Sequence, residues 1–255
     1  MMVSLMMKHL FKFFKHMALP FFYTESVSSI NNIIVLNEEN SRHIVQVLRM
    51  GERRQINITN GLGIICTAEI LEAHKKKCLV KILDTLIQIA PAKKVCIAIS
   101  PVKNSSRFEW FLEKATEIGV TEIVPLMCER TEKQYLKHDR LRGILISAML
   151  QSQQAWLPVL HEPIKFEKFV EENKLNNKFI AHCDEQNKIS LKEIIGQLSN
   201  EPINHSTILL GPEGDFTKEE IELAMQNNFT PVALGNTRLR TETAALVAVT
   251  LLCIN

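Results

Sequence analysis

Apolar and polar positions change rhythm near residue 90 of this 255-residue chain. Before it the period is two. Residues 55–59 and 64–70 flank Asn60-Gly61-Leu62-Gly63, a hairpin signal, and residues 78–89 alternate as a further strand. Residues 41–50 instead read as a short helix carrying Arg42, His43 and Arg49. This pattern predicts a compact β-barrel with one or two short helices over residues 17–90. After Ala90-Pro91-Ala92, short apolar runs alternate with amphipathic stretches. Strands are expected at residues 95–100, 123–126, 179–183, 208–210 and 231–234. Helices are expected at 107–118, 139–154 and 191–198, from Thr217 onward, and at 244–254. Strands that are apolar throughout belong to a sheet covered on both faces, so residues 91–255 read as an α/β domain with a parallel sheet.

Two corners interrupt that pattern with glycine. Leu210-Gly211-Pro212-Glu213-Gly214 follows one buried strand; Pro212 keeps Gly211 extended, and Gly214 is expected to supply a positive φ. Thr217 and Glu220 then have the spacing of a capping box. Leu234-Gly235 ends the next strand, and Thr237-Arg238-Leu239-Arg240 leads to a helix with Thr241 as expected N-cap and Glu242 in its first turn. Turns of this kind at strand ends are where open α/β sheets bind ligands, although ordinary strand–turn–helix corners look the same. Neither the P-loop nor the dinucleotide glycine pattern is present. Arg240 lies just before a helix N-terminus, where both charges favour an anion, and Glu213 and Glu242 are the nearest carboxylates. On the helix at 107–118, Arg107, Trp110, Lys114 and Glu117 form a second stripe beside the apolar one. It reads either as a nucleic-acid face or as a solvated surface. The terminal helix is apolar on nearly every side, so it is expected to be buried, partly against another subunit.

Composition adds limits. Hydrophobic content of 46% and charged content of 23% are those of a soluble globular protein. No apolar run reaches the length of a membrane span. Cys66, Cys78, Cys96, Cys128, Cys183 and Cys253 are scattered, with no C-x-x-C pair and no His cluster beside them. A metal site or disulfide framework is therefore not expected, and reduced thiols point to the cytosol. The net charge of +2 hides an asymmetry. Residues 1–90 hold eleven basic and seven acidic side chains, and the remainder nineteen and twenty-one, as suits an RNA-contacting module joined to a catalytic one. Within residues 1–16, Met6, Leu10 and Phe13 share a helical face with Met17, opposite Lys8, Lys12 and Lys15. That segment reads as a basic amphipathic helix or as an N-terminal extension.

The wording of the corners goes further. Leu210-Gly211-Pro212-Glu213-Gly214, Leu234-Gly235 and Leu239-Arg240-Thr241-Glu242-Thr243-Ala244 resemble the RsmE family of ribosomal RNA methyltransferases, within the SPOUT superfamily. Lys114-Ala115-Thr116-Glu117-Ile118-Gly119-Val120, the Pro125…Glu129-Arg130-Thr131 run and Gln151-Ser152 agree with it. Three positions depart from the family pattern. Asp215 stands where a second glycine is frequent, Thr237-Arg238 where Arg-Ile is usual, and Leu150 where an acid precedes the Gln-Ser pair. The resemblance spans residues 17–255, and family members usually begin near Phe21, which makes Met17 a natural start.

The resemblance implies a PUA-like RNA-binding barrel at 17–90 and a trefoil-knot domain at 91–255. It implies S-adenosylmethionine as cofactor, N3 of a uridine in small-subunit (16S) ribosomal RNA as target, and a homodimer. Cofactor contacts would come from Leu210, Gly211, Glu213, Gly214, Leu234, Gly235, Leu239 and Arg240. Arg240, Glu242 and Glu213 would serve catalysis, and His43, Arg49, Arg107, Trp110 and Lys114 would face RNA. Two other functions remain open on sequence: methylation of another RNA atom such as a ribose 2′-OH, and a non-catalytic RNA-binding assembly factor.

Overall fold

The computed structural model describes residues 19–27, 32–184, 188–197 and 205–254. The amphipathic segment expected within residues 1–16 lies outside them. The chain divides into two compact units: Met1–Ala90 with Met149–Leu157, and Pro91–Ala148 with Pro158–Asn255.

In the first unit the period-two stretches form a five-stranded sheet. In chain order its strands are β1 (Phe21–Tyr23), β2 (Ile33–Val35), β3 (Gln55–Thr59), β4 (Ile64–Glu72) and β5 (Leu79–Ile87). They lie in the order β1-β3-β4-β5-β2, antiparallel except for the β1–β3 pair. Phe22, Ile34, Ile56, Ile58, Ala68 and Val80 meet in its core. The predicted helix at 41–50 is displaced. Asn37 caps the backbone N–H of Asn40, so helix α1 starts early, at Glu38–Arg42, and widens into a π-helical turn over His43–Val47. Residues 149–157 belong with this unit because Trp156 lies over the hairpin. A Cβ at Gly63 would come within 2.4 Å of the indole.

The second unit is a parallel sheet with helices on both faces. Its strands are β6 (Lys94–Ile99), β7 (Glu122–Met127), β8 (Val159–Leu160), β9 (Ile164–Lys165), β10 (Asn177–Ala181), β11 (Ile189–Ser190), β12 (His205–Leu210) and β13 (Thr230–Ala233). Their order is β11-β13-β10-β12-β6-β7-β8, with β9 on β7. The helices are α2 (Ser105–Ile118), α3 (His138–Gln151), α4 (Phe166–Glu172), α5 (Leu191–Gln197), α6 (Lys218–Gln226) and α7 (Thr241–Ile254). Alternate strand residues such as Ala98, Val124, Ile180 and Leu209 pack on Phe166 and Val170 of α4 and Ile221 and Ala224 of α6. On the other side α7 packs against α2, β6 and β12. Asn104 caps α2, and Gly119, at φ 102°, ends it. The expected N-cap Thr241 is instead the first residue of α7, which leaves Arg240 immediately outside the helix.

The capping box of α6 forms as predicted and does more than start a helix. Thr217 Oγ1 accepts from Glu220 N–H, and Glu220 Oε2 accepts from Thr217 N–H. The other carboxylate oxygen, Oε1, accepts from Glu129 N–H in the loop after β7. Glu220 is buried, so its removal strands N–H donors at about 1–3 kcal/mol each. Glu220→Ala is expected to lower unfolding stability by about 2 kcal/mol in a urea titration. An unchanged midpoint would mean that water replaces both bonds.

Candidate active site

Strands β10 and β12 lie side by side and parallel, and their carboxyl ends, Ala181 and Leu210, line one cleft of about 390 Å³. After β13 the chain returns across these ends, bringing Leu239 and Arg240 to the cleft before it enters α7. The walls are therefore two strand ends, the turn after β12 and the start of α7. Strand order reverses beside it, between β12 and β6, since β7 follows β6 on one side and β13 follows β12 on the other. Such a switch point is where an open α/β sheet leaves room for a ligand.

The turn after β12 is built differently from the sequence expectation. Gly214 does not have the positive φ; Asp215 does, at 61°. Aspartate tolerates that region because its short side chain bonds locally, and Asp215 Oδ2 accepts from Cys183 N–H at 2.7 Å, tying the turn to the end of β10. This gives the aspartate a part in the turn that a glycine could not play. The glycine needed for space is Gly211. A Cβ there would lie 3.1 Å from Phe216 Cδ2 and 3.2 Å from its backbone nitrogen.

A second brace comes from the loop after β7. Arg130 Nη1 donates to Gly214 O at 2.7 Å, and Thr131 Oγ1 lies 2.8 Å from Ser100 Oγ and accepts from Cys128 N–H. The Glu129-Arg130-Thr131 run thus holds the turn. Arg130 and Asp215 are site residues that spacing alone did not single out; their only sequence trace was membership of a quoted motif or departure from one.

Of the other expected residues, Leu210, Gly211, Glu213, Leu239, Arg240 and Glu242 line the cleft. Gly214, Leu234 and Gly235 do not line it; the last two follow the end of β13. Arg107 joins the cleft from α2, with Nε 3.8 Å from Oε1 of the buried Glu242. Arg238 lines it too, so three arginines face three carboxylates, those of Glu213, Asp215 and Glu242. Glu213 Oε1 accepts from Lys103 N–H. Behind the lining, His182 is buried with neither ring nitrogen hydrogen-bonded to a described residue, and burial, with Lys188 nearby, pushes its pKa down.

The stripe on α2 divides. Trp110 is 43% exposed. The Lys114 ammonium lies between the carboxylates of Glu113 (2.7 Å) and Glu117 (2.9 Å), which raise its pKa and neutralise its charge locally. In the first unit His43 is exposed, its ring edge-on to Phe22 at 5.7 Å, and Arg49 is exposed at φ 52°.

A larger cavity, about 450 Å³, opens at the opposite edge of the sheet, beside Lys94, Glu122 and His205. There a hydrogen bond from His161 holds the Glu122 carboxyl below its usual range. It lies at the amino ends of β6, β7 and β12, away from the edge where such sheets bind ligands. Among the described residues no group of three or more His, Cys, Asp or Glu is placed to hold a metal ion, and no helix is long and apolar enough to cross a membrane.

An RNA methyltransferase domain family matches residues 90–253, and an RNA methyltransferase PUA domain family matches residues 36–83. The chain belongs to the RsmE family of RNA methyltransferases. A probable rRNA-methyltransferase from Porphyromonas gingivalis is 36% identical, with TM-score 0.83 over 92% of this chain and 99% of that one. The ribosomal RNA small subunit methyltransferase E of Neisseria gonorrhoeae, solved with S-adenosyl methionine bound, is 27% identical, with TM-score 0.79 over 91% and 95%. A protein of the same name from Rickettsia conorii is 29% identical over 229 residues, 89% of this chain and 92% of its own. The RsmE fold is thus the one present: a PUA-type sheet followed by a SPOUT-type α/β domain.

Proposed function

We propose that this RsmE-family protein methylates N3 of a uridine in small-subunit ribosomal RNA, with S-adenosylmethionine as cofactor, in the cytoplasm. The observation that carries this reading is the cleft at the ends of β10 and β12, floored by backbone at Gly211 and ringed by Arg107, Arg238 and Arg240. The residues present fit the cofactor. Main-chain groups at Gly211 and the strand ends line the cleft where a flat ring can meet them, and carboxylates in the wall complement a positively charged sulfur compound. When bound, S-adenosylmethionine supplies an electrophilic methyl group.

The chain's own residues supply the remainder. Uridine N3 is a weak nucleophile until it loses its proton, so the site needs a proton acceptor and a cation for the anion that forms. Arg240, exposed on the cleft beside the N-terminus of α7, is suited to the second task. Of the three carboxylates, Glu213 and Asp215 each commit an oxygen to a main-chain N–H. Among the described residues Glu242 meets only Arg107, at a separation longer than a hydrogen bond. We therefore assign proton acceptance to Glu242, with Arg107 aligning it and reaching toward the RNA backbone. His43, Arg49 and Trp110 are further RNA contacts in this reading, and Lys114 is a weaker one because its charge is already matched.

A homodimer belongs to the same reading. Helix α7 buries Ala245, Ala248, Val249 and Leu252, yet Leu246, Val247 and Leu251 on its other side are only half-buried and Ile254 is exposed. A second copy related by a two-fold axis would cover that face with its own equivalent. The deciding experiment is nucleoside mass spectrometry of small-subunit ribosomal RNA from cells with and without this protein. N3-methyluridine should disappear in its absence; loss of a ribose-methylated nucleoside instead would assign a different target atom.

A further inference from the structure

The first turn of α2 has two sides. Arg107 looks into the cofactor cleft, whereas Ser105, Ser106 and Glu109 line a separate pocket of about 320 Å³ closed by Lys133, Tyr135 and Lys137. The two sites therefore flank the same helical turn, separated by the width of a helix, about 10 Å. The loop that carries the lysines is also tied to the cleft. Lys103 N–H holds Glu213, and Lys103 Nζ pairs with Glu132, the residue before Lys133.

Charge in this pocket is unbalanced. Among the described residues its only carboxylate is Glu109, which accepts two hydrogen bonds from Arg140 at 2.7 and 2.9 Å, and Glu132 next to it is held by Lys103. Among the described residues Lys133 and Lys137 have no acidic partner. Between them stands Tyr135, with 72% of its surface exposed. A bare aromatic face flanked by uncompensated cations is how proteins hold single-stranded nucleic acid, the ring stacking on a base and the cations meeting phosphates.

We propose that this pocket is a subsite for a nucleotide flanking the target uridine, its base stacked on Tyr135 and its phosphates on Lys133 and Lys137. The inference rests on the methyltransferase reading for the word "target" but not for the binding itself. It requires the RNA to be single-stranded as it crosses α2.

Two measurements test it separately. Binding of a single-stranded oligouridylate, followed by fluorescence anisotropy across a salt series, asks whether the subsite exists. The Lys133→Ala/Lys137→Ala double variant should lower the slope of log affinity against log salt by about 1.4, at about 0.7 per phosphate on a single strand. Methylation of small-subunit ribosomal RNA asks whether it serves the reaction. Tyr135→Ala should raise KM for RNA about tenfold with kcat and S-adenosylmethionine affinity little changed, Tyr135→Trp should restore it, and Tyr135→Leu should not. A wild type that binds oligouridylate but methylates no ribosomal RNA would count against the proposed activity and leave the subsite standing. An unchanged salt slope in the double variant, no oligouridylate binding by the wild type, or equal KM in Tyr135→Leu and the wild type would overturn the subsite.

Discussion

Gly211→Val is expected to abolish measurable S-adenosylmethionine binding in a protein that still folds. The cause is space rather than backbone conformation, since Gly211 is not among the positive-φ glycines. Its missing Cβ would sit 3.1 Å from the Phe216 ring and 3.2 Å from the Phe216 nitrogen. Phe216 cannot give way easily, because it is 3% exposed and its ring packs 5.4 Å from that of Phe166. Overpacking of this kind costs about 1–3 kcal/mol in the core, so the turn between β12 and α6 should shift instead and carry Leu210 and Glu213 with it. Misplacement by about 1 Å in a site of this kind is worth roughly 100-fold. Isothermal titration should show the loss, with circular dichroism unchanged. Gly214→Ala is the matched control. A Cβ there meets Arg130 Cδ at 3.4 Å, an ordinary contact, so binding should survive. Wild-type affinity in a folded Gly211→Val protein would remove the cofactor from this cleft.

Val247→Glu should give folded monomers that bind S-adenosylmethionine poorly and do not methylate RNA. Val247 is half-buried on the face of α7 opposite Ala245 and Ala248, so a carboxylate there can reach water in a single chain. In the proposed homodimer the same change buries two carboxylates near the two-fold axis without partners, which an interface does not tolerate. Because α7 begins directly after Arg240, a helix released from its mate loosens the arginine that faces the cleft. Sedimentation velocity gives the mass, and transfer of labelled methyl groups to ribosomal RNA gives the activity. A fully active monomer, variant or wild type, would mean that each chain completes its own site.

Local rules carried much of this protein. The apolar runs at 95–100, 123–126 and 208–210 became β6, β7 and β12 because a strand buried on both faces has no other composition available to it. Thr217 and Glu220 named their own helix start, and Gly119 its predecessor's end, since caps depend on neighbours three or four residues away. The motif words around Gly211 and Arg240 marked two segments that the fold places in one cleft.

What tertiary structure alone decided are contacts between residues far apart in sequence. The three-residue strands β1 and β2 and the two-residue β8, β9 and β11 are too short for any period to register, and exist because a longer strand offers them an edge. The positive φ fell on Asp215 rather than Gly214 because Cys183 N–H, 32 residues away, rewards a carboxylate there. Arg130 reads as one more surface charge until Gly214 O, 84 residues on, is brought to it. Lys114 shows the reverse: the sequence offers a cation, and the fold sets it between two carboxylates of its own helix. Hydrogen-bond donors and acceptors announce themselves in sequence, but which pairs meet depends on the sheet order that brings their strands together.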